Sequence, residues 1–189
     1  EWERDGKAYG WGNNRGLVLM KSFDLIHWTR TNIRFDQMSK EFAQIGCAWA
    51  PETVYDPATG RMMIYFTMRF GNEQNRLYYV YVNQDFNRIE SIPQILFEYP
   101  SGASAIDGDI TPIWNEERQK MEYHLFYVAH ESGSGIKQAV SDRIDGGYRF
   151  DPRWIDFEPV ACEAPNVWKR IGEDKWVLMY DIFGINPHN

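Results

Sequence analysis

Three observations predict an all-β fold of repeated four-stranded sheets arranged as the blades of a propeller. Short runs rich in Val, Ile, Tyr, Phe and Trp fill the chain at residues 16–20, 61–67, 76–82, 121–128 and 175–180. Such residues fit a pleated, half-buried surface. No stretch of a dozen residues carries a convincing apolar helical period, so long helices are not expected. The strand-and-turn pattern itself returns at intervals of about 60 residues, as expected for a blade of about four strands that buries its faces only against neighbours around an axis.

Within each repeat the elements keep a fixed order. An opening strand and turn are predicted at Pro51-Glu52-Thr53-Val54-Tyr55-Asp56, at Asp109-Ile110-Thr111-Pro112-Ile113-Trp114-Asn115 and at Ala164-Pro165-Asn166-Val167-Trp168-Lys169. A hairpin partner follows each, at 62–66, 122–127 and 176–180. The third strand ends in a polar turn, at Ser22-Phe23-Asp24, Asn83-Gln84-Asp85 and Ser141-Asp142-Arg143, where short polar side chains can bond nearby backbone. Residues 1–28 supply only the later strands of a blade and residues 163–189 only an opening hairpin. The chain therefore reads as two whole blades between two partial ones. Because a ring needs at least four, the expectation is a piece of a larger propeller. Residues 1–189 are taken as one domain, incomplete at the first blade's start and lacking the last blades.

The composition narrows the function. There are 27 acidic and 20 basic residues, a net charge of −7, and no basic run long enough to form a nucleic-acid patch. No apolar run approaches the length of a membrane span and no signal-peptide core is evident, so no membrane partner is expected. Aromatic residues make up 16% of the chain. That abundance suggests rings facing a ligand, and neutral sugars favour flat apolar platforms beside carboxylates. Cys47 and Cys162 show neither metal-ligand spacing nor a disulfide framework and are expected to be buried free thiols.

Acidic residues recur where repeats begin. Ala48-Trp49-Ala50-Pro51-Glu52, Ala105-Ile106-Asp107-Gly108-Asp109 and Cys162-Glu163-Ala164-Pro165 each open a repeat, and a ring would bring such positions together. Glu163 lies in an apolar, uncharged run from 160 to 165, where desolvation favours a neutral, proton-donating carboxyl. A second carboxylate beside it would raise its pKa further. Asp107 is the first choice for that role, and Asp109, two residues on and so on the same strand face, competes with it. An acidic residue beside Pro at a strand start can equally be a turn or edge device. Trp49, at the head of an inner strand, and Trp11, in the loop Gly10-Trp11-Gly12-Asn13-Asn14-Arg15-Gly16, are candidate stacking walls for a sugar, with inter-blade packing and loop burial as the alternatives. That glycine-rich loop is followed by no helix, so it is not a dinucleotide fingerprint. His130 follows a strand end and reads as a solvent-facing loop residue or a group at the pocket mouth. Nothing resembles a nucleophile elbow.

With the repeat phased, the chain resembles glycoside hydrolase family 43, five-bladed propeller enzymes acting on arabinose- and xylose-containing polysaccharides. Ser22-Phe23-Asp24-Leu25-Ile26-His27-Trp28 resembles the family's Ser-x-Asp-Leu-x-x-Trp turn, and Trp49-Ala50-Pro51-Glu52 its Trp-Ala-Pro-Glu start of the second blade. Ile106-Asp107 resembles the third-blade Ile-Asp, whose aspartate orients the acid and adjusts its pKa. Glu163-Ala164-Pro165 resembles the fourth-blade Glu-Gly-Pro, whose glutamate is the general acid, with Ala164 in place of Gly. The resemblance puts the general base on a first-blade strand that would precede Glu1. It implies a five-bladed propeller of which the chain covers about three blades, and an oligosaccharide or polysaccharide substrate. It also implies a secreted or periplasmic location and no required cofactor. Calcium on the ring axis is common in the family, and the sequence nominates no ligands for it.

The expected reaction is inverting hydrolysis of arabinofuranosyl or xylosyl linkages. One carboxyl protonates the leaving oxygen and another, roughly 6.5–9.5 Å away, activates water. Three alternatives stand beside it. One is a non-catalytic sugar-binding propeller. Another is a related fructosidase, whose acid motif has Glu before Cys rather than Cys162-Glu163. The last is a protein-interaction propeller, whose usual Trp-Asp or kelch glycine signatures are missing.

Overall fold

In a computed structural model, residues 10–129, 131, 135–153 and 161–182 are described, together with the short pair β1 (Glu3–Arg4) and β2 (Lys7–Ala8). The hairpin β3 (Gly16–Ser22) and β4 (Trp28–Arg34) comes next, then 3₁₀ turns at Phe35–Gln37 and Glu41–Gln44. The first complete sheet is β5 (Ile45–Asp56), β6 (Arg61–Phe70), β7 (Arg76–Val82) and β8 (Gln94–Phe97). The second is β9 (Ala105–Asn115), β10 (Lys120–Ala129), β11 (Ile136–Ser141) and β12 (Arg149–Asp151). The hairpin β13 (Cys162–Lys169) and β14 (Trp176–Ile182) closes the order. Both complete sheets are antiparallel meanders in chain order. The predicted pattern of two whole blades between partial ones is the one observed.

Alternation along the middle strands explains why their sequences are almost continuously apolar, since both faces of a middle blade are covered. On β6, Met63 and Tyr65 join Leu77, Tyr79, Tyr123, Leu125 and Tyr127 in one core between the two complete sheets. Ile64, Phe66 and Met68 point the other way, into a second core with Leu17, Leu19 and Phe35. Ile106, Phe126 and Val128 form a third with Cys162, packed by Val167 and Leu178. Sheets thus stack as successive wedges, β3–β4 on β5–β8 on β9–β12 on β13–β14. At the outer ends the pattern reverses. Val18 and Met20 on β3 and Met179 on β14 face outward, exposed by about half.

The turn between β3 and β4 is built by its own side chains. The Ser22 Oγ accepts from the N–H of Leu25 at 2.8 Å, and Asp24 Oδ1 accepts from those of Ile26 and His27. Leu25 has a positive φ of 61°.

Each innermost strand carries a bulge at the same place. Pairing of β5 with β6 skips from Trp49 to Glu52, that of β9 with β10 skips two residues between Ile106 and Asp109, and that of β13 with β14 skips from Glu163 to Asn166. In all three the first skipped residue is left-handed: Ala50 at φ 45°, Asp107 at 55° and Ala164 at 54°. A bulge kinks a strand and re-aims its side chains. Alanine in this region carries a steric penalty that glycine escapes. Ala50→Gly and Ala164→Gly are each expected to stabilise the full-length protein by about 1 kcal/mol, measured by denaturant unfolding.

Candidate active site

The three bulges face one another across a cleft of about 570 Å³. Its lining includes Trp11, Trp49, Glu52, Asp107 and Glu163. All four residues expected at the site therefore meet at one place, although they come from a loop and three different sheets.

Trp11 reaches the cleft because its loop is pinned. The Gly10 N–H donates to Asn13 Oδ1 at 2.6 Å, closing the turn. Asn14 then holds the loop to β5: its Nδ2 donates to the Ala48 carbonyl at 2.8 Å and its own carbonyl accepts from the Ala48 N–H. The Trp11 and Trp49 rings stand edge-to-face, centroids 6.3 Å apart and planes at 84°. Trp11 stays 74% exposed, so it walls the cleft rather than filling a core. Behind Trp49 the Arg69 guanidinium lies 5.3 Å from the ring centroid, a cation–π contact that holds the indole in place.

Asp107 bridges the sheets. Its N–H donates to Thr67 Oγ1 of β6 at 3.1 Å, and its Oδ2 accepts from the Ala164 N–H of β13 at 3.1 Å. The carboxylate is thereby fixed against the peptide that follows Glu163. Asp107 and Glu163 are both half-buried.

Asp109 takes a different place. It is 7% exposed and absent from the cleft wall. Its Oδ2 accepts from the Val167 N–H at 2.8 Å and from the Thr111 hydroxyl at 3.4 Å, tying β9 to β13. Burial raises its pKa above the ordinary aspartate value, against those hydrogen bonds. A raised value means that the folded state holds the proton more tightly, so this group's contribution favours folding at low pH and is lost as pH rises through its folded pKa. Asp109→Ala leaves the Val167 N–H without its acceptor and is expected to cost roughly 1–3 kcal/mol, whereas Asp109→Asn keeps an acceptor and loses this part of the pH dependence. Chemical denaturation across pH 4–7 measures both.

Glu52 is the cleft residue that the sequence reading named within a motif but gave no role. It sits opposite Tyr65 in the ladder. Burial first, and then the Asp109 charge, raises its pKa.

Both cysteines are buried free thiols, and burial pushes the Cys47 thiol up to about 11, so it is not poised to react. Among the described residues no three His, Cys, Asp or Glu side chains converge to hold a metal ion. No described helix is long and apolar enough to cross a membrane. His130 lies outside the described residues.

A family described as "Probable glycosyl hydrolase domain", related to glycoside hydrolase family 43, matches residues 3–188. The chain belongs to this family. Its fold is similar to that of a thermostable family-43 glycoside hydrolase, at 13% identity and a TM-score of 0.53, covering 89% of this chain and 62% of that one. An endo-arabinase from Bacteroides thetaiotaomicron VPI-5482 matches at 11% identity and 0.52, covering 95% of this chain and 74% of that one. An exo-1,5-alpha-L-arabinanase from a bovine ruminal metagenomic library matches at 18% and 0.54, covering 90% of this chain and 60% of that one. No curated protein sequence matches the chain. The likeness to the solved structures is one of fold, the five-bladed β-propeller, of which this chain covers only part. It spans less than two thirds of the length of two of the three proteins.

Proposed function

We propose that the full-length protein is a glycoside hydrolase that cleaves arabinofuranosyl or xylosyl linkages in plant-type oligosaccharides or polysaccharides with inversion. Glu163 is the general acid, and Asp107 orients it and raises its pKa. Trp49 and Trp11 stack against the sugar. The carboxylate that activates water comes from outside residues 1–189. One observation carries this reading: carboxylates from separate sheets line one cleft, with Asp107 hydrogen-bonded to the backbone beside Glu163. Family membership supports it, and two solved structures of similar fold are named as arabinases.

In this scheme Glu163 gives its proton to the departing glycosidic oxygen as the bond to the anomeric carbon breaks. A water deprotonated by the base forms the new bond from the opposite face. Asp107 stays ionised, so that its charge favours the protonated form of Glu163 until the transition state is reached. The reading also implies action on polymers outside the cytoplasm, secreted or periplasmic, which cell fractionation tests.

The direct test is to incubate the full-length protein with aryl α-L-arabinofuranosides and aryl β-xylosides while following the anomer first released by proton NMR. Release of the inverted anomer supports the proposal. Sugar binding without release would make the protein a non-catalytic carbohydrate-binding propeller.

A further inference from the structure

Glu52 stands at the bulge position that Asp109 occupies in the next sheet and Asn166 in the one after. Of these two acids, only Glu52 is open to the cleft. Asp109 is buried and its Oδ2 is engaged by Val167 and Thr111. Glu52 has no hydrogen-bond or ion-pair partner among the described residues, yet it shares the cleft wall with Trp49, Asp107 and Glu163. A carboxyl placed in a cleft by a strand, with no partner among the described residues, is available to a ligand.

We infer that Glu52 is a specificity-determining residue of this cleft, hydrogen-bonding a hydroxyl of an uncharged glycosyl unit. The inference rests on the hydrolase reading and adds a residue that holds the bound unit. No Lys, Arg or His lines the cleft among the described residues, whereas three carboxyl groups do. An anionic sugar would meet like charge with no compensating cation, and a neutral one meets acceptors and donors suited to its hydroxyls.

Other titratable groups surround Glu52. From β9 it is faced by Asp107 and Asp109, from β6 by Tyr65 with Arg69 further along behind Trp49, and across the cleft by Glu163 of β13. Residues of β3 do not line the cleft. The Tyr65 Oη accepts from the Ile110 N–H at 2.9 Å, so this phenol sits between Glu52 and the Asp109 segment. Desolvation in the cleft and then the Asp109 charge raise the Glu52 pKa, and in either form the carboxyl offers an oxygen that accepts from a sugar hydroxyl.

The test uses full-length protein carrying Glu163→Gln, which slows turnover of unactivated glycosides. Calorimetry of xylobiose and of α-1,5-linked arabinobiose is run at one pH. Glu52→Ala is expected to weaken binding of the better ligand about tenfold or more. Glu52→Gln, which keeps an acceptor, should bind within about threefold of the parent. Unchanged binding in Glu52→Ala, or a loss in Glu52→Gln as large as that in Glu52→Ala, overturns the inference. The two readings fail separately. A parent protein that releases no sugar from either aryl glycoside sinks the hydrolase assignment, while turnover by the parent together with binding indifferent to Glu52 sinks only this one.

Discussion

Glu163→Gln in the full-length protein is expected to lower kcat on unactivated arabinofuranosides or xylosides by roughly 10²–10⁴-fold, the usual contribution of a general acid. Glutamine keeps the size and the polar character of the side chain but has no acidic proton to give to the leaving oxygen. The loss should depend on that oxygen. With a 2,4-dinitrophenyl leaving group, which departs readily as the anion, the variant should approach the parent's rate. A side chain that merely supported the fold would slow all substrates alike, so equal losses on both would remove Glu163 from the acid's role. Because Glu163 is half-buried at the edge of β13, the thermal midpoint is expected to move little.

The second large effect is expected at Asp107. Asp107→Asn preserves an oxygen that can accept from the Ala164 N–H, and so retains the link between sheets. It removes a negative charge beside the acid. Without that charge Glu163 releases its proton at lower pH, and the alkaline limb of the pH profile for kcat/KM moves toward acid, with kcat reduced by about 10–100-fold. The sign is the informative part: a shift of that limb toward higher pH, or no shift, would show that Asp107 does not act electrostatically on the acid. Asp107→Ala deletes the hydrogen bond as well and is expected to lose stability in addition to rate. At φ 55° asparagine tolerates the left-handed region better than alanine, so backbone strain adds to the stability lost in Asp107→Ala.

Much of the fold was legible because both faces of each middle blade are buried, which makes β6, β7 and β10 conspicuous apolar runs. The outer strands were not. β4 is Trp-Thr-Arg-Thr-Asn-Ile-Arg with most residues exposed, β8 has four residues and β12 three. An edge strand with little buried surface leaves little apolar signal.

The site residues were found through motif spacing, but their arrangement depended on a backbone feature that residue types hide. Ala50 and Ala164 each precede proline, a context that favours extended backbone over helix and gives no cue to a left-handed bulge. Period-two alternation left Asp107 and Asp109 equivalent, since both can reach β13. The bulge between them separates a cleft residue from a buried tie. The wall formed by Trp11 rests on two hydrogen bonds between Asn14 and Ala48. An asparagine in a glycine-rich loop predicts a turn, not the strand 34 positions onward that it will clasp.

The left-handed kink shared by three inner strands has a consequence for how such a molecule can change its chemistry. Measured from that kink, the acidic group lies two steps after it in the first complete sheet, at it in the second, and one step before it in the final hairpin. One backbone socket therefore offers three mounting points, each presenting a functional group at a different depth and angle without altering the frame. Moving an acid from one mounting point to another takes two point substitutions on an unchanged backbone path, so a ring of duplicated wedges can explore new catalytic constellations wherever the new position opens to the cavity.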